Sequence, residues 1–197
     1  MSKSLIYSIA GNSIYQDLNN VITFQSGLNV DADGGLHSYN PSNTGLDDNQ
    51  NAKDGNQWVG IATDRNGIPY KDIQNYYIST TSYQWSQYPV NDHRRYVDSE
   101  TIPYIVIPPQ IRRLAKGIVM GAKCIVTNTL NNKSIVGVVA DIGPRDSIGE
   151  VSIAMANLLG VNSNPRSGGN SNKVFNYQIF ADIPAVVNGI TYNLIRA

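Results

Sequence analysis

Two carboxylic acids nine positions apart, Asp141 and Glu150, stand on either side of a Gly143-Pro144 loop. A pair of carboxyl groups flanking a substrate is the equipment of glycoside hydrolysis. One protonates the leaving oxygen, and the other activates water or attacks carbon. Spacing alone also permits a plainer reading, in which the two are unrelated surface charges. The elements that carry them decide how seriously the pair is taken.

Those elements are short and rigid. Cys124 to Thr127 is β-branched and apolar, Asn131-Asn132 supplies a turn that tolerates positive φ, and Ser134 to Ile142 is a second strand. That strand delivers Asp141 to its end, where Gly143-Pro144 stops the pairing. Alternation puts Ile135, Gly137, Val139 and Asp141 on one face and Val136, Val138, Ala140 and Ile142 on the other. The second set is the more continuously apolar and is the expected core face, and Gly137 is expected to leave open space beneath Asp141. Ser152 reads as an N-cap, Ile153 to Leu159 as a helix of about two turns, and Gly160 as its C′ residue. Glu150 thus enters two residues before a helix cap.

Other chemistries find less support. His37 and His93 lack any metal-ligand spacing, and no metal or other cofactor is expected. Asp31-Ala32-Asp33-Gly34 has the beginning of a calcium loop without the third ligand or the distal Glu. Ser152 sits in no nucleophile elbow, and no glycine loop of phosphate-binding type follows a strand. The single cysteine, Cys124, excludes an internal disulfide and reads as a small buried hydrophobe.

The 197 residues suit one domain spanning 1–197, expected to be a monomer. Charged residues are only 15% of the chain and the formal net charge is zero, which argues against a nucleic-acid partner. The zero conceals an asymmetry. Residues 1–110 hold eleven acids against six bases, net −5, and residues 111–197 hold four against nine, net +5. A negative first half favours a cationic ligand, set against scattered solvated charge. No window reaches the length of a membrane span, and Leu5 to Gly11, preceded only by Lys3, is too short for a usual signal core. Further strands are expected over 4–10, 21–30, 58–63, 101–108, 174–181 and 185–195, and a turn of helix over Ile111–Lys116. Residues 40–57 form a long polar loop with Leu46 as its evident anchor, and residues 162–172 form a flexible one. Tyr83, Trp85, Tyr88 and His93 lie in a polar stretch, where aromatic rings either stack on sugars or pack in the core. Periodicity therefore establishes a mainly β domain with short helices and long loops.

The segment VTNTLNNKSIVGVVADIGP followed by SIAMANLLG resembles the double-psi β-barrel pattern of the expansin and family 45 hydrolase group. A closer likeness covers nearly the whole chain. VDADGGLHSYNP, TGLDDNQNA, YYISTTS, YVDSETIPYIVIPP and VVADIGPRDSIGEVSIAMANLLG resemble, in order, the family 75 glycoside hydrolases, the chitosanases. The resemblance implies a six-stranded double-psi barrel-like core and an inverting endo-hydrolysis of β-1,4-linked glucosamine polymer. It implies Asp141 as general base and Glu150 as general acid, with carboxyl groups roughly 6.5–9.5 Å apart to admit a water. It also makes Asp31, Asp33, Asp47 and Asp98 candidate partners for the polymer's free amines, with Tyr39 and Trp85 as stacking rings. Asx turns before Gly34 are the competing role for Asp31 and Asp33, and a tied-down turn is that for Asp98. The family implies an extracellular setting. A peptidoglycan-active enzyme of the same barrel type and a non-catalytic carbohydrate-binding or wall-loosening module remain the alternatives.

Overall fold

A computed structural model describes residues 2–117 and 120–195. In chain order the elements are strands β1 (Lys3–Ile9), β2 (Asn12–Asp17), β3 (Val21–Asp31), β4 (Lys53–Asp54), β5 (Gln57–Trp58) and β6 (Tyr104–Ile107). Helix α1 (Pro109–Leu114) follows, then β7 (Ala122–Asn128), β8 (Lys133–Ile142), β9 (Glu150–Ser152), helix α2 (Ile153–Leu158), β10 (Asn170–Val187) and β11 (Ile190–Tyr192). A single 3₁₀ turn spans His93–Arg95.

The main sheet runs β1-β2-β3-β9-β6-β8-β7-β10-β11, and β10 also pairs with β3. That extra pairing closes β3, β9, β6, β8, β7 and β10 into a six-stranded barrel. The barrel is mixed: β3 with β9 and β6 with β8 are parallel, and the other neighbours are antiparallel. Closure removes free edges from the ring and surrounds one large apolar core that includes Ile22, Leu28, Ile105, Val126, Val138 and Ile179. The expectation of a six-stranded barrel core with short helices is met.

Local chemistry explains the details. Ala10 and Gly11 both have positive φ, 48° and 70°, the twist that a two-residue hairpin requires, so β1 turns directly into β2. Sequence reading placed only a turn between the strands at 4–10 and 21–30, so β2 is an addition. The two closing strands expected over 174–181 and 185–195 are instead one long β10, bent where its register shifts between Phe180 and Pro184, plus the short β11. The strand expected over 58–63 mostly dissolves: the N–H groups of Val59 and Gly60 both donate to the Ala52 carbonyl, a turn that breaks any ladder. Residues 101–103 likewise leave the strand expected over 101–108. Asp98 draws them into a turn, its carboxylate accepting from the Glu100 N–H and the Thr101 hydroxyl.

Two expectations around β8 need correction. Residues Gly137 to Asp141 are buried without alternation, because both faces of this barrel stave are covered, while Val136 is 42% exposed. Nor does Gly137 open a space beneath Asp141. A Cβ there would fall 2.5 Å from Met155 Cε and 2.6 Å from the Pro103 carbonyl, so the glycine permits close packing. Ser152 does cap α2 as expected, accepting from the Met155 N–H at 3.1 Å. Cys124 is fully buried.

Gly149 sets the entry of β9. Its φ is +99°, and a Cβ would lie 2.5 Å from the Gly27 carbonyl and 2.6 Å from Ser26 Oγ. Its own carbonyl accepts from the Asn29 N–H and the Tyr177 hydroxyl, each at 3.0 Å. Gly149→Ala should therefore cost about 1–3 kcal/mol of stability, read as a lowered midpoint in urea unfolding.

Candidate active site

A cleft of about 620 Å³ opens at one end of the barrel, lined by Val30, Asp31, Asp33, Tyr39, Asp47 and Asn51 on one side and Val106, Asp141, Gly143 and Glu150 on another. Each acid is delivered by a strand end or a pinned loop. Asp31 is the last residue of β3, Asp141 lies one residue before the end of β8, and Glu150 is the first residue of β9. In the sheet order β9-β6-β8, Glu150 and Asp141 flank β6, whose Val106 is opposite Asp141. Gly143 brings the loop after Asp141 against the acid: a Cβ there would sit 2.9 Å from Glu150 Oε2. A second hollow of about 270 Å³ shares Asp33, Val59, Asp141 and Ile142 with the cleft and continues along Thr80, Thr81 and Gln84. The depression is thus elongated, with Asp141 in its middle stretch.

Asp141 is only 7% exposed and strongly anchored. Its Oδ1 accepts three hydrogen bonds, from the Ser82 N–H at 2.8 Å, the Ser82 hydroxyl at 2.6 Å and the Ile142 N–H at 2.8 Å. Burial pushes its carboxyl above the ordinary range, and those donors pull it back. Glu150 has no such donors. Burial first, then the charges of Asp141 and Asp47, push it up to about 7. Asp31 and Asp33 are raised well above the carboxylate range, chiefly by burial and then by neighbouring acids.

The long loop over 40–57 is held by polar contacts. Leu46, the expected anchor, is 37% exposed, and the anchoring falls to buried Tyr39, Asp47 and Ala52. Asn51 Nδ2 donates to both oxygens of Asp47, at 2.9 and 3.0 Å. From the far loop, Arg166 Nη2 donates to the carbonyls of Asn43, Gly45 and Asp47. The segment read as flexible, 162–172, is therefore a clamp on the acidic loop.

Of the expected site residues, Asp31, Asp33, Asp47, Asp141, Glu150 and Tyr39 come together. Trp85 and Asp98 do not. Trp85 packs on Tyr83 and Tyr192, with centroids 5.1 and 5.4 Å away, and Asp98 serves its turn. Tyr39 lines the cleft without offering a ring face: it is 1% exposed and its hydroxyl donates to Asp33 Oδ1 at 2.9 Å. Sequence reading missed Ser82, Asn51, Arg166 and Tyr104. Only Tyr104 left a signal, as the one polar-tipped side chain in the aliphatic run Tyr104-Ile105-Val106-Ile107. An oxygen from each of Asp31, Asp33 and Asp141 lies within 4.8 Å of the others. Both oxygens of Asp31 are engaged, one by the Tyr104 hydroxyl and the other by the Asp33 N–H.

A family profile described as fungal chitosanase of glycosyl hydrolase group 75 matches residues 28–193. The chain belongs to this chitosanase family. It is a glycoside hydrolase, and the matched range contains all six cleft acids. The hairpin of β1 and β2 lies ahead of the matched range. Comparison with individual curated proteins returned no match. Among the described residues no helix is long and apolar enough to cross a membrane.

Proton linkage gives the chitosanase a measurable signature. Glu150 ordinarily titrates at 4.5 and in the fold at about 7, so between those values the folded state holds a proton that the unfolded chain has released. Its contribution to stability is complete below pH 4.5 and is lost as pH rises towards 7. The thermal midpoint should fall over that window. Glu150→Gln should flatten the slope and be the more stable protein at neutral pH, as differential scanning calorimetry at several pH values would register.

Proposed function

We propose that the protein is an inverting, endo-acting chitosanase in which Glu150 is the general acid and Asp141 the general base. The observation that carries this is the contrast between the two environments. Glu150, half-buried and without donors, keeps a proton to about pH 7, whereas Asp141 has three donors on one oxygen that favour its charged form. Glu150 hands its proton to the glycosidic oxygen as the bond to the anomeric carbon breaks. Asp141 Oδ2, which needs no further anchoring, takes a proton from the water attacking that carbon on the opposite face. The configuration inverts in that single displacement. Two strand spacings separate β9 from β8 across β6, about 9–10 Å between backbones, which supports room for that water.

The substrate class follows from charge. Glucosamine polymer is a polycation, and Asp47 and Asp54 line the cleft with the reacting pair. Lys53 also lines the cleft, but its ammonium lies over the Trp58 ring, 4.2 Å from the centroid, and among the described residues no lysine or arginine side chain forms an ion pair with any of the six cleft carboxyls. An acidic cleft is a poor host for peptidoglycan, whose peptide stems are themselves acidic. A mere binding module has no use for a proton-holding acid beside an anchored base. The elongated depression supports cutting within chains. The barrel, with its two parallel pairs, is read as the double-psi type, and residues 1–197 as one catalytic domain acting as an extracellular monomer.

Incubation with chitosan and analysis of the first products by proton NMR tests the reading, because inversion releases the α-anomer first. Initial β-anomer, or no product at all, would sink it. Asp141→Asn and Glu150→Gln should each lower kcat by about 10²–10⁴-fold with the fold intact. Asp47→Asn should raise KM for chitosan and shift the alkaline limb of kcat/KM to lower pH, because the charge that helps hold Glu150 protonated is gone.

A further inference from the structure

Tyr104 carries one hydroxyl hydrogen, yet its oxygen lies at hydrogen-bond distance from two acceptors. Asp31 Oδ2 is 2.7 Å away and the main-chain oxygen of Asp33 is 2.8 Å away. A carbonyl can only accept. If the hydroxyl points at Asp31, the Asp33 carbonyl faces a bare oxygen at 2.8 Å in a buried site. If it points at the Asp33 carbonyl, the short contact to Asp31 needs a hydrogen of its own. The remaining oxygen of Asp31, Oδ1, accepts the Asp33 N–H at 2.9 Å. Only a protonated Asp31 satisfies every contact: Oδ2–H donates to Tyr104, Tyr104 donates to the Asp33 carbonyl, and the Asp33 N–H returns to Oδ1.

We infer that Asp31 is held as a neutral carboxylic acid that closes a ring of hydrogen bonds through Tyr104 and Asp33. It is a positioning residue of the active site, with no part as a charge that binds the substrate's amines. This inference rests on the chitosanase reading for its meaning, since the ring fixes Asp33 at the cleft wall beside the catalytic pair. The surroundings agree. The ionisable groups facing Asp31 are Tyr104 on β6, Asp33 and Tyr39 on the following loop, Asp141 on β8 and Glu150 on β9; all are acids or phenols. Burial comes first among the causes that raise Asp31, followed by the charges of Glu150 and Asp141. Tyr104 is itself raised, so it keeps its hydrogen. The charge that Asp31 gives up would otherwise oppose ionisation of Asp141, the base.

Asparagine at this position is neutral, with an oxygen to accept from the Asp33 N–H and an N–H to donate to Tyr104, and it adds one further N–H. Asp31→Asn should fold and leave the acid limb of the kcat/KM pH profile in place, whatever change in kcat the altered ring geometry brings, because by the inference no charge is removed. Tyr104→Phe, which breaks the ring, should lower kcat more than Asp31→Asn does. An Asp31→Asn protein that fails to fold or shifts the acid limb would overturn the inference. A second measurement is independent of turnover. In carbon-13 NMR of protein labelled at aspartate carboxyls, the Asp31 signal, assigned as the one missing from Asp31→Asn, should stay at the protonated position past about pH 5, beyond where free carboxylates titrate. If instead it titrates with the exposed aspartates, Asp31 is an ordinary anion. Absence of chitosan cleavage by wild type would refute the assigned reaction while leaving the NMR result to decide the proton.

Discussion

Six carboxyl groups line one cleft, and the repulsion among the five that are withdrawn from solvent is the constraint to which the rest of the site answers. Carboxylates a few ångströms apart in a poorly solvated setting cannot all be ionised. The protein meets this in three ways. It supplies donors where a charge is wanted, as at Asp141 and Asp47. It withholds donors where a proton is wanted, as at Glu150. At Asp31 it arranges neighbours so that the only complete hydrogen-bond pattern includes the proton. The one basic side chain lining the cleft, Lys53, lies over the Trp58 ring and forms no ion pair with these acids among the described residues, so the cleft keeps its affinity for a cationic polymer.

The barrel makes that arrangement possible by fixing backbones rather than side chains. The donors at Asp141 include two backbone N–H groups, the entry to Glu150 depends on a glycine that no other residue could replace without collision, and the loop bearing Asp47 is held by an arginine that grips its carbonyls. Backbone groups cost little entropy to keep in place once the ring is closed. The residues lining the cleft offer no exposed aromatic ring face: beside the carboxyls they present the Asn51 amide, the Lys53 ammonium and the aliphatic Val30, Val59 and Val106. On the proposed reading, ion pairing with a polymer charged on each unit takes the place of ring stacking.

Much of this was legible in the sequence, for identifiable reasons. Asp141 at a strand end before Gly-Pro, Ser152 as a cap and Gly160 after the helix are local signals, and local signals survive folding. The acids of the first half were legible as a charge asymmetry, though their convergence with Asp141 was supplied by family likeness. What could not be read was long-range. Ser82 is 59 positions from the aspartate it anchors and Arg166 is 119 from the carbonyl of Asp47. Aromatic residues misled for a related reason: Trp85 and Tyr39 have the composition of stacking platforms, and only tertiary packing shows their rings engaged elsewhere. Gly137 misled in the opposite sense, since a missing side chain can signify either a void or a crowd.

The closing seam of the barrel has a temporal consequence. β3 comes early in the chain and β10 late, and their pairing joins Phe24 to Tyr177, residues separated by most of the molecule. During synthesis β3, β6, β8 and β9 all emerge before the strand that completes the ring. Every cleft acid is therefore on the nascent chain before any enclosure exists to raise a pKa or hold a proton. Contacts of such wide sequence separation form late and make folding slow. Pairing of β3 with β10 is thus the contact on which enclosure of the cleft waits, and with it the shifted proton affinities of its acids.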